Sequence, residues 1–281
     1  MRRRGFTLVE ILVVLAIIAM LVALTATASM WAVNAARRAA ISVEVGQLRD
    51  AVEAYKQAKG DYPPNFRDYQ AFIRHVRTCY PKCDVNHLDT FVGAVWPGYS
   101  LSSPPPANTM PQLDEGESLV FWLQGTRNDP LRPFGGSAEL VKYYSFDSRF
   151  LLDSDGDGQV SFRARYAKDT FYLYMDSRSY DELTAVSGAA FVNNPAHAEG
   201  VTANGTRPYF TDAASDALPG TNYVNPTTFQ IVCAGQDGEF GADTSPPTQK
   251  QFPGFRNGTS ADRDNVTSFS EGKTLDDNIP D

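Results

Sequence analysis

The sequence predicts an α+β protein: a long N-terminal helix, apolar in its first half and amphipathic in its second, packed on a globular body with a small antiparallel sheet. Three observations carry this. The run from Ile11 to Val33 contains no charge, proline or glycine, and roughly 20 apolar residues suffice for a helix to cross hydrocarbon. Immediately beyond it, Ile41, Val45, Leu48, Val52 and Tyr55 recur at alternating spacings of four and three, which places an apolar stripe on one helical face. Downstream of Tyr143 the chain changes character, into short aromatic and β-branched runs separated by loops, the pattern of strands.

The first element begins with Arg2-Arg3-Arg4-Gly5-Phe6-Thr7-Leu8-Val9-Glu10. Arginines flanking a span stay on the cytoplasmic side, so Ile11 to about Met30 reads as a single crossing with its N-terminus inside. Its apolar length exceeds the roughly 7 to 15 residues of a cleaved secretory h-region. Glu10 is the anomaly. A carboxylate near the bilayer centre costs about 2.5 kcal/mol or more, so such a group usually has a partner. The next cation in the chain is Arg37, nearly eight helical turns away. Cutting after Gly5 would create a nearer one, the α-amino group of Phe6, available to Glu10 of the same helix at i and i+4 or of a neighbouring copy. An uncleaved anchor whose Glu10 reaches the interface remains the alternative on these residues alone.

Gly5-Phe6-Thr7-Leu8-Val9-Glu10, with basic residues before it and an apolar helix after it, resembles the class III signal of type IV pilins and type II secretion pseudopilins. The resemblance implies that a prepilin peptidase cuts after Gly5 and methylates the amine of Phe6, and that Glu10 drives assembly. It extends to the stem exit, where Leu48, Ala51, Tyr55, Gly60, Tyr62 and Pro63 are similar to the close of the major pseudopilin stem. Near the C-terminus, Ile231 to Gly241 is similar to that family's closing signature Ser-x-Gly-x-Asp-Gly-x-x-Gly, with Cys233 in place of the serine. The family's next loop holds calcium, which here would implicate Asp237, Asp243, Asp262 and Asp264, although an insertion from Thr244 to Ser260 interrupts it. Asp264 to Phe269 resembles the start of the family's final strand. What the resemblance implies overall is a subunit polymerising into a periplasmic type II secretion pseudopilus. Its partners would be other copies of itself, related pseudopilins, the prepilin peptidase, the inner-membrane secretion platform and membrane lipid. A minor type IV or DNA-uptake pilin is the runner-up in that architecture. From another class comes a calcium-binding or hydrolytic periplasmic domain on an uncleaved anchor.

The 281 residues, 42% hydrophobic and 21% charged, hold a leader at 1–5, a stem at 6–59 and one periplasmic body at 60–281. The net charge of −8 falls by three more units if Arg2, Arg3 and Arg4 leave. So acidic a body is a poor match to a phosphate backbone, and no nucleic-acid partner is expected.

Along the body, Gly60-Asp61-Tyr62-Pro63-Pro64 ends the stem, because glycine suits a helix C-terminus and paired prolines cannot continue one. Spacing predicts helices over Asn65 to Val76 and Leu113 to Leu123, with an exposed Pro-rich connection from Ser102 to Pro111 between them. Strands are expected at Tyr143–Phe146, Val160–Phe162, Phe171–Met175 and Phe229–Val232. The stretch from Asp176 to Thr228, rich in Ala, Asn, Gly, Pro and Thr, reads as a long surface excursion. The sequons at Asn204, Asn257 and Asn265 carry no weight in a chain whose signal suggests a prokaryote.

Candidate chemistry is concentrated in Asp153-Ser154-Asp155-Gly156-Asp157-Gly158-Gln159. Carboxylates at positions 1, 3 and 5, glycine at 6 and a carbonyl at 7 wrap oxygens around a hard cation such as Ca²⁺, making Asp153, Asp155, Asp157 and Gln159 the expected ligands. Position 12 is Ala164 rather than a bidentate glutamate, so a completing ligand must come from elsewhere; a solvated Asp/Gly turn is the competing reading. Asp237 and Asp264 are the further metal candidates. His75, Cys79, Cys83 and His87 sit four apart, a ladder with zinc-ligand chemistry, yet Pro81 interrupts the helix that would align it. A local Cys79–Cys83 disulfide and packed free thiols are the alternatives. No nucleophile–base pattern stands out, and an enzyme is not expected.

Overall fold

The computed structural model describes residues 7–106, 109–153, 155–168, 170–180, 207–211, 222–241, 250–253 and 262–278. Helix α1 runs unbroken from Leu8 to Lys59, about 78 Å at 1.5 Å per residue. Thr7 caps it, and Gly60 stops it in the left-handed region at φ 87°, its N–H bonded to the Lys56 carbonyl. The large apolar residues from Leu8 to Trp31 are exposed, whereas Ile41, Val45, Leu48, Val52 and Tyr55 are buried, so the predicted stripe is the face that meets the body.

Among the described residues, three further α-helices follow. Helix α2, Tyr69–Cys79, is capped by Asp68; α3, Val85–Val95, by Asp84; and α4, Glu115–Gln124, by a reciprocal Asp114–Glu117 capping box. The expected start of α2 at Asn65 was four residues early. Paired prolines precede it, Phe66 takes the left-handed φ of 62°, which no helix continues through, and the cap is Asp68, whose side chain accepts from the Gln70 N–H. Helix α3 was not anticipated, although Leu88, Val92 and Val95 form its buried face. Helix α4 lies within two residues of where its spacing placed it, and the Pro-rich connection is exposed at Ser102, Ser103, Pro104 and Pro106 but buried at Pro105 and Pro111.

Among the described residues, seven short strands form three antiparallel sheets. Strand β1 (Thr126–Arg127) pairs with β2 (Leu140–Val141), and β3 (Leu151–Leu152) with β4 (Ser161–Phe162). The third sheet has the order β5 (Tyr172–Asp176), β6 (Phe229–Cys233), β7 (Val266–Thr267), with Tyr174 opposite Ile231 and Val232 opposite Thr267. Tyr143–Phe146 is not a strand: the N–H groups of Tyr143 and Tyr144 both bond the Leu123 carbonyl, closing the end of α4.

The three-stranded sheet is buried on both faces, so its strands read as continuous apolar runs rather than alternating ones. Tyr172, Tyr174, Ile231 and Cys233 pack with the α1 stripe and with Leu119 and Leu123 of α4. On the opposite face Leu173, Met175 and Val232 pack with Tyr209, Phe210, Tyr223 and Phe240. The expected surface excursion therefore returns at 207–211 and 222–228 to cover the sheet, while 181–206 and 212–221 lie outside the described residues. A third cluster, mainly aromatic, joins Tyr55 to Phe66, Phe72, Trp96 and Trp122; the rings of Phe66 and Trp122 stack at 5.5 Å.

Candidate functional site

Glu10 and Thr7 close a capping box. The Thr7 N–H and hydroxyl donate to Glu10 Oε2 at 2.7 and 2.8 Å, and the Glu10 N–H donates to Thr7 Oγ1. A carboxylate here satisfies orphan N–H groups and faces the positive end of the helix dipole, so Glu10 has a role in its own helix besides any pairing between copies. Thr7 would be the second residue after a cut behind Gly5, and its N–H stays an amide, so the box survives such a cut. Gly5 and Phe6 lie outside the described residues.

The acidic loop between β3 and β4 is folded around its own backbone. Asp153 accepts from the N–H groups of Gly156 and Gly158, Asp155 from Asp157, and Asp157 from Gln159, at 2.7 to 3.2 Å. Gly156 and Gly158 take φ 81° and 92°, conformations that suit glycine. Glu117, at the start of α4, brings a carboxylate oxygen to this loop: the ligand atoms of Glu117, Asp155 and Asp157 lie within 4.8 Å of one another. The helix gets there because residue 116 is glycine; a Cβ on Gly116 would stand 2.5 Å from Ser161 Oγ on β4. Burial, then the charges of Asp114, Asp157 and Asp155, push the Glu117 carboxyl far above the usual range. The sequence did not single out Glu117. The available signal was the Asp-x-x-Glu capping box, which marks a helix start but not what the start faces.

At the C-terminal loop, Asp237 and Asp264 meet: the Asp237 N–H donates to Asp264 Oδ2 at 3.3 Å. Asp262 is engaged differently, its Oδ1 accepting from Lys250 Nζ at 2.6 Å with both side chains buried. Asp243 lies outside the described residues. Among the described residues no third metal-ligating side chain gathers with Asp237 and Asp264.

The His/Cys ladder separates where Pro81 predicted. Cys79, Cys83 and Cys233 are free thiols, so the local disulfide is absent. His87 Nε2 accepts from the Phe134 N–H, with its ring stacked on Phe134, away from His75. His75 and Cys79 instead gather with Asp61 at the stem exit. His75 Nδ1 and Asp61 Oδ2 are 2.8 Å apart, and Tyr55 Oη is 2.8 Å from His75 Nε2. Arg178 also bonds Asp61 Oδ2. Burial works to raise the Asp61 carboxyl, but His75 and Arg178 outweigh it and hold it at about 2. Burial raises the Cys79 thiol to about 11. Asp61, His75 and Cys79 thus form a polar cluster in which Arg178 holds the Asp61 carboxylate and the Cys79 thiol is protonated.

A family model described as the prokaryotic N-terminal methylation motif matches residues 1–26. No curated protein and no solved structure matches the chain. The motif, a type IV pilin-like prepilin signal, supports a protein of the type IV pilin-like class. The prepilin-type signal and the long apolar helix fit a membrane-anchored protein.

Proposed function

We propose that the chain is a structural subunit of the pseudopilin kind. It would be processed at Gly5 and Phe6 by a prepilin peptidase, extracted from the inner membrane at a secretion platform, and polymerised with its own copies and related pseudopilins into a periplasmic type II secretion pseudopilus. Its role is assembly, not catalysis. The observation that supports this best is the stem itself, one helix whose first half no part of the described body covers and whose second half is seated in that body. An apolar surface of that length needs lipid before assembly and neighbouring stems after it. Glu10 sits at the head of that surface, where the Phe6 amine of an adjacent copy would pair with it and fix register.

Mass spectrometry of the mature chain tests processing: a filament subunit begins at methylated Phe6, and a chain beginning at Met1 in cells with an active peptidase rules the reading out. Glu10→Ala tests the pairing, leaving the protein in the membrane while abolishing cross-linked multimers. Undiminished multimers would refute it. The large body favours a second reading within the same class, an accessory subunit, which would be present at far fewer copies than a principal one.

A further inference from the structure

The geometry points to a calcium site that joins α4 to the β3–β4 loop, with Glu117 supplying the ligand that the loop itself lacks. Asp153 shapes the loop through its two backbone hydrogen bonds. Asp155 and Asp157 each use only Oδ1 for the loop backbone. Their Oδ2 atoms, together with Glu117 Oε1, are buried and have no hydrogen-bond partner among the described residues. Glu117 is only 1% exposed, and its Oε2 is occupied by the Asp114 N–H. One buried and two half-buried carboxylates thus converge with one shielded, unsatisfied oxygen each, a costly arrangement for three ionised groups unless a cation sits between them.

The donor set is all oxygen and mostly anionic, which selects a hard divalent ion. The Gln159 carbonyl, at position 7 of the loop, and water would bring the count toward the six to eight oxygens that Ca²⁺ takes. The ligands come from a loop and a helix far apart in sequence, so the ion would act as a clasp between α4 and the β3–β4 hairpin. Glu117 would take the place of the glutamate missing at Ala164. The site is separate from the Asp237–Asp264 pair and does not depend on the chain being a pilus subunit.

The test is calcium titration of the full chain in detergent after chelator treatment, read by calorimetry and melting temperature. Wild type should bind one ion through this site and melt at a higher temperature with calcium than with chelator. Glu117→Gln keeps an oxygen for the capping bond but removes the charge, so it should still melt cooperatively in chelator and bind calcium at least about tenfold more weakly. Asp155→Asn should weaken binding likewise, and Asp264→Asn should not. A wild-type chain with neither heat nor shift overturns the inference whatever the variants do. So does Glu117→Gln binding as tightly as wild type, or binding that survives Asp155→Asn and disappears in Asp264→Asn.

Discussion

At the scale of single residues, His75 shows how a sequence candidate for metal ligation becomes a proton-sensitive core residue. Its side chain is fully buried, between the Asp61 carboxylate on Nδ1 and the Tyr55 hydroxyl on Nε2. A neutral ring with its proton on Nδ1 donates to Asp61 and accepts from Tyr55, satisfying all three groups. Burial lowers the His75 pKa, Asp61 pulls it up, and Arg178 and Lys59 push it further down. The unfolded chain therefore takes up a proton near pH 6.5 that the folded chain refuses until lower pH, and stability falls as pH drops through that window. Asp61 acts lower: depressed to about 2, it contributes stability above the ordinary carboxylate range and loses it as pH falls toward 2. Asp176, raised to about 6 by burial against the pull of Arg178, titrates with the opposite sign, because the folded chain binds its proton first. The informative quantity is thus a difference between slopes. Between about pH 7 and about pH 5, wild type should lose melting temperature more steeply than His75→Gln, and equal slopes would exclude a titrating His75 as the cause.

At the scale of elements, the stem exit is the joint on which the body hangs. The successive carbonyls of Tyr62, Pro63 and Pro64 accept from Arg178 Nη2, the Tyr174 hydroxyl and Trp122 Nε1, at 2.6 to 2.7 Å. One donor comes from just beyond β5, one from β5 and one from α4, so the turn after α1 is tied to both neighbouring elements. Arg178 also bonds Asp61 and the buried Asp176. Arg178→Ala would leave Asp176 buried without its cation and should destabilise the chain by about 3 kcal/mol, measured by denaturant unfolding. A loss below about 1 kcal/mol would mean the joint is held by the apolar contacts alone. Much of this element level was legible in advance: the α1 stripe, the stop at Gly60, α4, β5 and β6 all carry strong local periodicity or breakers. Less legible were features set by tertiary contact. The start of α2 depended on Asp68 outcompeting the helical spacing of Phe66, α3 buries only Leu88, Val92 and Val95, and Tyr143 and Tyr144 are held by the end of α4 rather than by a strand partner. Likewise Asp153, Asp155 and Asp157 announced a loop with cation chemistry, but that Glu117 meets it depends on Gly116 fitting against Ser161, a contact between parts of the chain some 45 residues apart.

At the scale of the whole molecule, α1 divides into two halves that face different surroundings. From Ile41 to Tyr55 it is a core helix, and removing it would open the face of the sheet formed by Tyr172, Tyr174 and Ile231. From Leu8 to Trp31 its large apolar side chains are exposed. A bond from Gln236 Nε2 to the Asn34 carbonyl links body and stem at the boundary between the halves. The energetics of the body should accordingly be independent of the first half of the stem, which exists for lipid and for other stems. A chain starting at Asn34 would keep the whole buried stripe and lose only the uncovered surface. Such a chain should stay in solution without detergent, form no cross-linked multimers, and melt within about 3 °C of the full chain in detergent, a shift corresponding to less than about 1 kcal/mol for a body of this size. Aggregation, or a much lower melting temperature, would show that the segment before Asn34 holds the fold together, and the division of the stem into an assembly half and a folding half would fail.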